Sequence, residues 1–271
     1  MSKNKKATRT IMAVVLCFVA FFSNMQMNLA KENYDNTLKS MGTPQSVIDE
    51  MDENYKAYIC EKKVSGETYE SFEEDELYNN NPSSSKLLGG INLCSVEELK
   101  SKDISVSIYA TGVTIGGKKY VKLYPSFRWK KAASIKNDTF AFALYSGWEC
   151  KPGSDVGLTV NAVNSFDVVQ KQLELKPSDA SEYGYAFGFP NTCSKLPGGG
   201  HYEGYAYFYA RRKNKTATKA ISMKYIHDTN PFWNTSYGVS IGIASVSVSS
   251  NSSMLQVYAK NVTFSYSYST K

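Results

Sequence analysis

Histidine is scarce in this sequence: His201 and His227 are the only two in 271 residues. No C-x-x-C pair joins any of its five cysteines, so a zinc centre would need isolated ligands gathered by the fold. The glycine-rich run Pro197–Gly200 lacks a G-K-[ST] ending, which removes a phosphate loop. Long apolar runs are missing too. The longest, Ile11–Phe22, has twelve residues, short of the roughly twenty that a spanning helix needs. No cofactor is implied by any of these features.

That short run is informative in itself. Lys3, Lys5, Lys6 and Arg9 precede it without an acid, which is the charge and apolar order of a secretory signal. Residues 1–30 are therefore expected to be a signal peptide cut after Ala30, and an uncleaved signal would tether the protein to a membrane. Cys17 lies inside the apolar run after Leu16, which does not fit a lipoprotein signal. Removing the four cations lowers the formal balance from +6 to +2, so no general attraction to nucleic acid is expected. In an extracellular setting the remaining Cys60, Cys94, Cys150 and Cys193 are disulfide candidates. Three pairings are open, and chain proximity favours Cys60 with Cys94 and Cys150 with Cys193.

Residues 31–103 read as a helical N-terminal region with an acidic and polar linker. Thr43 suits an N-cap and Pro44 the first helical position, with Val47, Ile48 and Met51 on one face. Tyr55, Tyr58 and Ile59 repeat that spacing. An acid-rich stretch over 61–76 and the polar run 79–85 read as linker, and Ser95 with Glu98 resembles a capping box.

From Ile104 the period becomes two, and 104–271 reads as a mostly β domain, an antiparallel β-sandwich of jelly-roll-like form. Ile104, Val106 and Ile108 alternate with serines. Phe140, Phe142 and Leu144 are separated by Ala141 and Ala143, a pattern that suits a strand covered on both faces. In 237–249 the apolar phase slips between Ile243 and Ala244, which predicts a bulge or bend in one long strand. Val262, Phe264, Tyr266 and Tyr268 give a last alternating strand.

Gly238–Gly242 matches a G-x-S-x-G elbow around Ser240, but both histidines precede it and the alternation continues past it, against the strand–turn–helix context that motif needs. His201 and Glu203 lack the P-C-x-x-C partner of zinc deaminases. Glu149 and Glu203 could form a glycosidase pair if about 5–9.5 Å apart, and Glu203-Gly204-Tyr205 is superficially similar to the acid/base strand of jelly-roll xylanases, without a matching nucleophile strand. Aromatic side chains offer stacking faces. Trp148, Glu149, Tyr202, Glu203, Tyr205 and Tyr207 are therefore the ligand-binding candidates, and Arg211, Arg212, Lys213 and Lys215 form a candidate basic patch. No catalytic or metal-binding residue is assigned.

Two segments carry a resemblance: Met41–Glu50 leading to Tyr58 and Ile59, and Tyr124–Trp129 followed by Asn137–Phe140. With them the chain resembles uncharacterised secreted β-rich proteins of Gram-positive bacteria, which implies compartment and fold but no activity. Asn137, Asn214, Asn234, Asn251 and Asn261 head N-x-[ST] sequons, glycan acceptors only in a eukaryotic source. The expectation is a secreted, non-enzymatic protein that binds a cell-surface or wall glycan or a protein partner. The alternatives are a membrane-acting β toxin, with alternating strands such as Val239–Ser249 as barrel staves, and a secreted glycoside hydrolase.

Overall fold

The computed structural model describes residues 31, 33–74, 97–98, 103–130, 137–151, 156–165, 168–190, 200–214, 217–228, 237–250 and 255–266. The expected signal peptide, Cys94, Cys193, the 79–85 linker and Lys215 lie outside them. The chain divides into two compact units, Met1–Lys63 and Val64–Lys271.

The first unit is helical. Helix α1 covers residues 33–40, α2 Gln45–Glu50 and α3 Glu53–Lys62. Gly42 takes φ 89 just beyond α1, a conformation open to glycine that lets the chain turn after the helix. Pro44 occupies the N-cap of α2 rather than its first helical position, and no side chain caps that end. Asp52 caps α3, its carboxylate accepting the Asn54 N–H at 2.9 Å. Ile48, Met51, Tyr55, Tyr58 and Ile59 are all buried, as their helical spacing predicts. Lys56 of α3 reaches Asp35 of α1 at 3.0 Å and Glu53 at 2.9 Å.

The second unit is a mostly β sandwich, antiparallel apart from one short parallel pair. Its first sheet contains β1 (Thr68–Glu74), β3 (Ile104–Ile115), β4 (Lys118–Trp129), β11 (Gly200–Arg212), β7 (Gly157–Asn164) and β8 (Val169–Leu175) in that spatial order, with β6 (Trp148–Cys150) also on β11. The second runs β2 (Glu97–Glu98), β15 (Leu255–Thr263), β12 (Ala220–Asp228), β5 (Asn137–Leu144), β10 (Gly184–Pro190) and β9 (Asp179–Ser181). A separate two-stranded sheet is formed by β13 (Tyr237–Gly242) and β14 (Ser245–Ser250).

Three sequence expectations change. The acid-rich 61–76 stretch is not all linker, because Thr68–Glu74 pairs antiparallel with β3 as an edge strand, so the sandwich begins before residue 104. The capping-box segment provides β2, which pairs parallel with β15, instead of a helix. The long strand over 237–249 is a hairpin, with Ile243 and Ala244 as its two-residue turn between Gly242 and Ser245. Ala244 stands at φ 52, which is costly for a residue with a Cβ, and its N–H donates to the Leu144 carbonyl at 2.8 Å. Among the described residues Cys60 and Cys150 are free thiols, and their expected partners, Cys94 and Cys193, lie outside those residues. Burial pushes Cys60 up to about 11 and Cys150 up to about 12, which keeps both protonated and poorly nucleophilic.

The alternation in β5 places Phe140, Phe142 and Leu144 in the main core and Ala141 and Ala143 in a second, smaller cluster with Ala186, Ile241 and Val246. The strand is thus covered on both faces, the second time by the hairpin. Aromatic rings fill the main core: Phe142 stacks on Phe208 at 4.8 Å, and Phe127 meets Tyr225 edge-on at 4.7 Å. Pro125 sits within β4, opposite Ile108 of β3. On the other side, the β11–β4 ladder runs to Tyr205↔Ser126 and resumes at Phe208↔Leu123. The gap falls beside Pro125, which has no N–H to donate.

Candidate functional site

The face of the first sheet opposite the main core carries the densest polar and aromatic chemistry. Register aligns Tyr109 with Tyr124 and Thr111 with Lys122 across β3 and β4, and sets Tyr209 of β11 opposite Lys122. Glu67, just before β1, reaches into this row. Its Oε1 accepts from Thr111 Oγ1 at 2.7 Å and from Tyr124 OH at 2.5 Å. Its Oε2 accepts from the Val64 N–H at 2.8 Å and from Lys122 Nζ at 3.4 Å. Lys122 Nζ also lies 4.9, 4.7 and 5.4 Å from the ring centroids of Tyr124, Tyr207 and Tyr209, within cation–π range.

Both ionic side chains are fully out of water. Dehydrating two charges is expensive unless the remaining donors and acceptors are satisfied, and here hydroxyls, a backbone N–H and ring faces supply that compensation. Burial, then the Glu67 charge, holds the Tyr124 hydroxyl well above its ordinary value. The same causes push Tyr209 up to about 12. Both phenols therefore remain protonated near neutrality, and Tyr124 donates its proton to the Glu67 carboxylate in a hydrogen bond. Neither Glu67 nor Lys122 was among the sequence candidates. The available signal was Lys122 between Tyr120 and Tyr124 in one strand phase; Glu67, distant in the chain, gave none.

A second buried polar cluster lies at one end of the main core. Asp138 accepts from Tyr225 OH at 2.6 Å and lies 2.5 Å from His227 Nδ1, while the Trp129 ring meets His227 at 5.2 Å. Burial and the Asp138 charge raise Tyr225 well above its ordinary value. His227 and Asp138 resemble the base and orienting acid of a triad, but they are 2% and 0% exposed, so no substrate reaches them from solvent. Ser240 is exposed on β13, and a turn and β14 follow it. That is a hairpin, not a nucleophile elbow.

The sequence candidates are dispersed. Trp148 is buried, donates from Nε1 to the Thr218 carbonyl at 2.9 Å and packs edge-on against Phe264. Tyr202 also points into the core and donates to the Pro190 carbonyl at 3.1 Å. Tyr205 is 3% exposed. Tyr207 is half-buried beside Tyr124 and Tyr209, with one ring face given to Lys122. Glu203 is buried and accepts from Asn161 Nδ2 at 3.3 Å.

Glu149 is elsewhere. It pairs with Arg211 and, at 3.1 Å, with Lys213, and Arg211 foremost holds its carboxyl below the ordinary range. In register Glu149 faces Arg211, eight residues along β11 from Glu203, so the two carboxylates are separated by roughly 26 Å of extended strand. That span excludes a two-carboxylate glycosidase site formed by these residues. The basic patch is likewise neutralised in part: Arg211 and Lys213 hold Glu149, Lys213 also reaches Glu182 at 3.5 Å, and Arg212 donates to the Asn214 carbonyl at 2.7 Å. Among the described residues, no group of three His, Cys, Asp or Glu side chains is arranged to hold a metal ion.

Fold and site together define a mostly β sandwich with two buried polar clusters. No family model matches the sequence, and no curated protein matches it. Among solved structures, the collagen-binding subdomain ACE19 of the Enterococcus faecalis surface protein ACE is similar at 12% identity, with 55% of this chain and 93% of that one covered and a TM-score of 0.30. The RrgB pilus backbone of Streptococcus pneumoniae is similar at 11% identity over 51% of this chain and 27% of its own, with a TM-score of 0.27. A structure described only as a pore forming protein is similar at 6% identity, covering 64% and 86% with a TM-score of 0.31.

Proposed function

We propose that this is an exported, non-enzymatic binding module whose partner is a protein segment added as a strand along β8. The observation that carries the reading is the edge itself. β8 ends the first sheet and is paired with β7 on one side. Most of its residues are exposed, Val169 and the preceding Val168 at 37% and 53%. An extended peptide can satisfy such an edge through its backbone and place alternate side chains against the valines. Stacking of sugars on the β11 tyrosines is less favoured, because Tyr202 faces the core, Tyr205 is buried, and Tyr207 and Tyr209 flank the Lys122 ammonium.

A screen of the purified protein against intact cells, an extracellular protein array and a glycan array tests this reading. Binding to a cell-surface protein that falls at least about tenfold with Val168→Lys/Val169→Lys is expected. Glycan binding unaffected by that double variant, or no binding at all, overturns it.

A further inference from the structure

The Glu67–Lys122 pair differs from the protein's other buried lysine contacts. Lys56 and Lys213 also hold carboxylates, but those acids keep 14–54% of their side chains in water. Glu67 and Lys122 are both at 0%. Nζ of Lys122 stands 3.4 Å from Oε2, beyond the roughly 2.7–2.9 Å of a tight ammonium–carboxylate hydrogen bond. The rings of Tyr124, Tyr207 and Tyr209 lie 4.7–5.4 Å from the same nitrogen. The amine end is thus caged against one carboxyl group, in a site without solvent.

The two carboxyl oxygens are held differently. Oε1 accepts from the hydroxyls of Tyr124 and Thr111 at 2.5 and 2.7 Å, whereas Oε2 faces the amine and accepts from the Val64 N–H at 2.8 Å. In a dry site, passing one proton from Nζ to Oε2 cancels both charges and removes the cost of burying them. It also leaves a neutral, desolvated amine, the nucleophilic form of lysine. When that amine adds to the carboxyl carbon, negative charge develops on Oε1, where the two hydroxyl donors already point.

We propose that Glu67 and Lys122 condense into an intramolecular amide, a covalent staple between the segment entering β1 and strand β4. The bond from Nζ to the carboxyl carbon forms and the bond from that carbon to Oε2 breaks. Nζ gives up two protons, both of which end on Oε2, so the leaving group is one water and nothing is oxidised or reduced. Holding the two groups together supplies the effective concentration that free amine and acid lack. The ion pair is the state before reaction, so the energetics of two buried charges are those of unlinked protein. The residues are 55 apart in the chain, and β3 lies between β1 and β4 in the sheet. The staple therefore ties an edge strand past its neighbour and closes a long loop, which restricts the unfolded chain as a disulfide does.

Intact-mass spectrometry and tryptic mapping of the purified, folded protein, with its N-terminus sequenced, test this. Wild type is expected to contain a species one water lighter than its sequence. Trypsin does not cut at an acylated lysine, so residues 120–128 should stay whole and appear joined to 64–86, the tryptic peptide that holds Glu67. Fragmentation should place the branch on Glu67 and on none of the acids over 70–76. Lys122→Arg, which keeps a cation, and Glu67→Leu should each show full mass and no branched peptide. Full mass in wild type, loss of water without the branched peptide, a branch on another acid, or a branch that survives Lys122→Arg overturns the proposal. The staple is distinct from the β8 edge, and Val168→Lys/Val169→Lys should carry it unchanged, so its failure leaves the β8 reading intact.

Discussion

The ammonium of Lys122 lies 3.4 Å from Oε2 of Glu67, with both side chains wholly removed from water. The pair joins β4 to the segment that leads into β1. Removing one partner strands the other charge, which costs about 3–5 kcal/mol in buried pairs. Glu67→Leu and Lys122→Met should each lower unfolding free energy in urea by about that amount. The double variant should recover a large part of the loss, giving a coupling energy of opposite sign in the cycle.

Tyr209 gives this face an alkaline signature. Its folded value is raised to about 12 from an ordinary 10, so above pH 10 the unfolded chain loses the phenolic proton while the folded protein retains it. The associated stability is complete below pH 10 and is lost as pH rises towards 12. The thermal midpoint of wild type should fall across that window, and Tyr209→Phe should flatten the decline.

Close packing makes two glycines unequal in a predictable order. A Cβ at Gly184 would lie 1.9 Å from the Phe142 carbonyl oxygen, whereas one at Gly204 would lie 2.1 Å from the Phe127 ring. The ring can rotate or shift, but the carbonyl is fixed in the paired β5–β10 ladder. Gly204→Ala should destabilise by about 1–3 kcal/mol. Gly184→Ala should cost more and disturb the exchange protection of β5.

The separation of Glu149 from Glu203 predicts kinetic silence. Glu149→Gln and Glu203→Gln should leave any hydrolysis of polysaccharides at the blank rate. Glu149→Gln removes ion pairs at the surface, and its effect on stability should stay within about 1 kcal/mol and shrink in salt. Because its folded carboxyl is held below the ordinary range, that small contribution is present above about pH 4.5 and is lost as pH falls.

The apolar alternation was legible wherever a strand has one side in the main core, as in Ile104, Val106 and Ile108, because the pleat makes side-chain direction depend on position alone. The same rule revealed that β5 is covered twice. It misled at Ile243 and Ala244, since a phase slip of one residue is produced equally by a bulge and by a two-residue turn. The turn chemistry that would separate them is absent, for Ala244 adopts a conformation usually left to glycine or asparagine. The acidic stretch around β1 looked like linker because an edge strand can afford Glu70, Glu73 and Glu74 where a central strand cannot.

The sequence by itself determined the β class, the core faces of the strands and the uncharged character of 229–259, because these depend on local periodicity and composition. Only the tertiary structure decided that Glu67 and Lys122 meet, that Glu149 and Glu203 do not, and that the 237–250 segment is a separate hairpin on the second sheet. Those outcomes depend on strand order and register, and the pairing that sets them joins residues far apart in the chain.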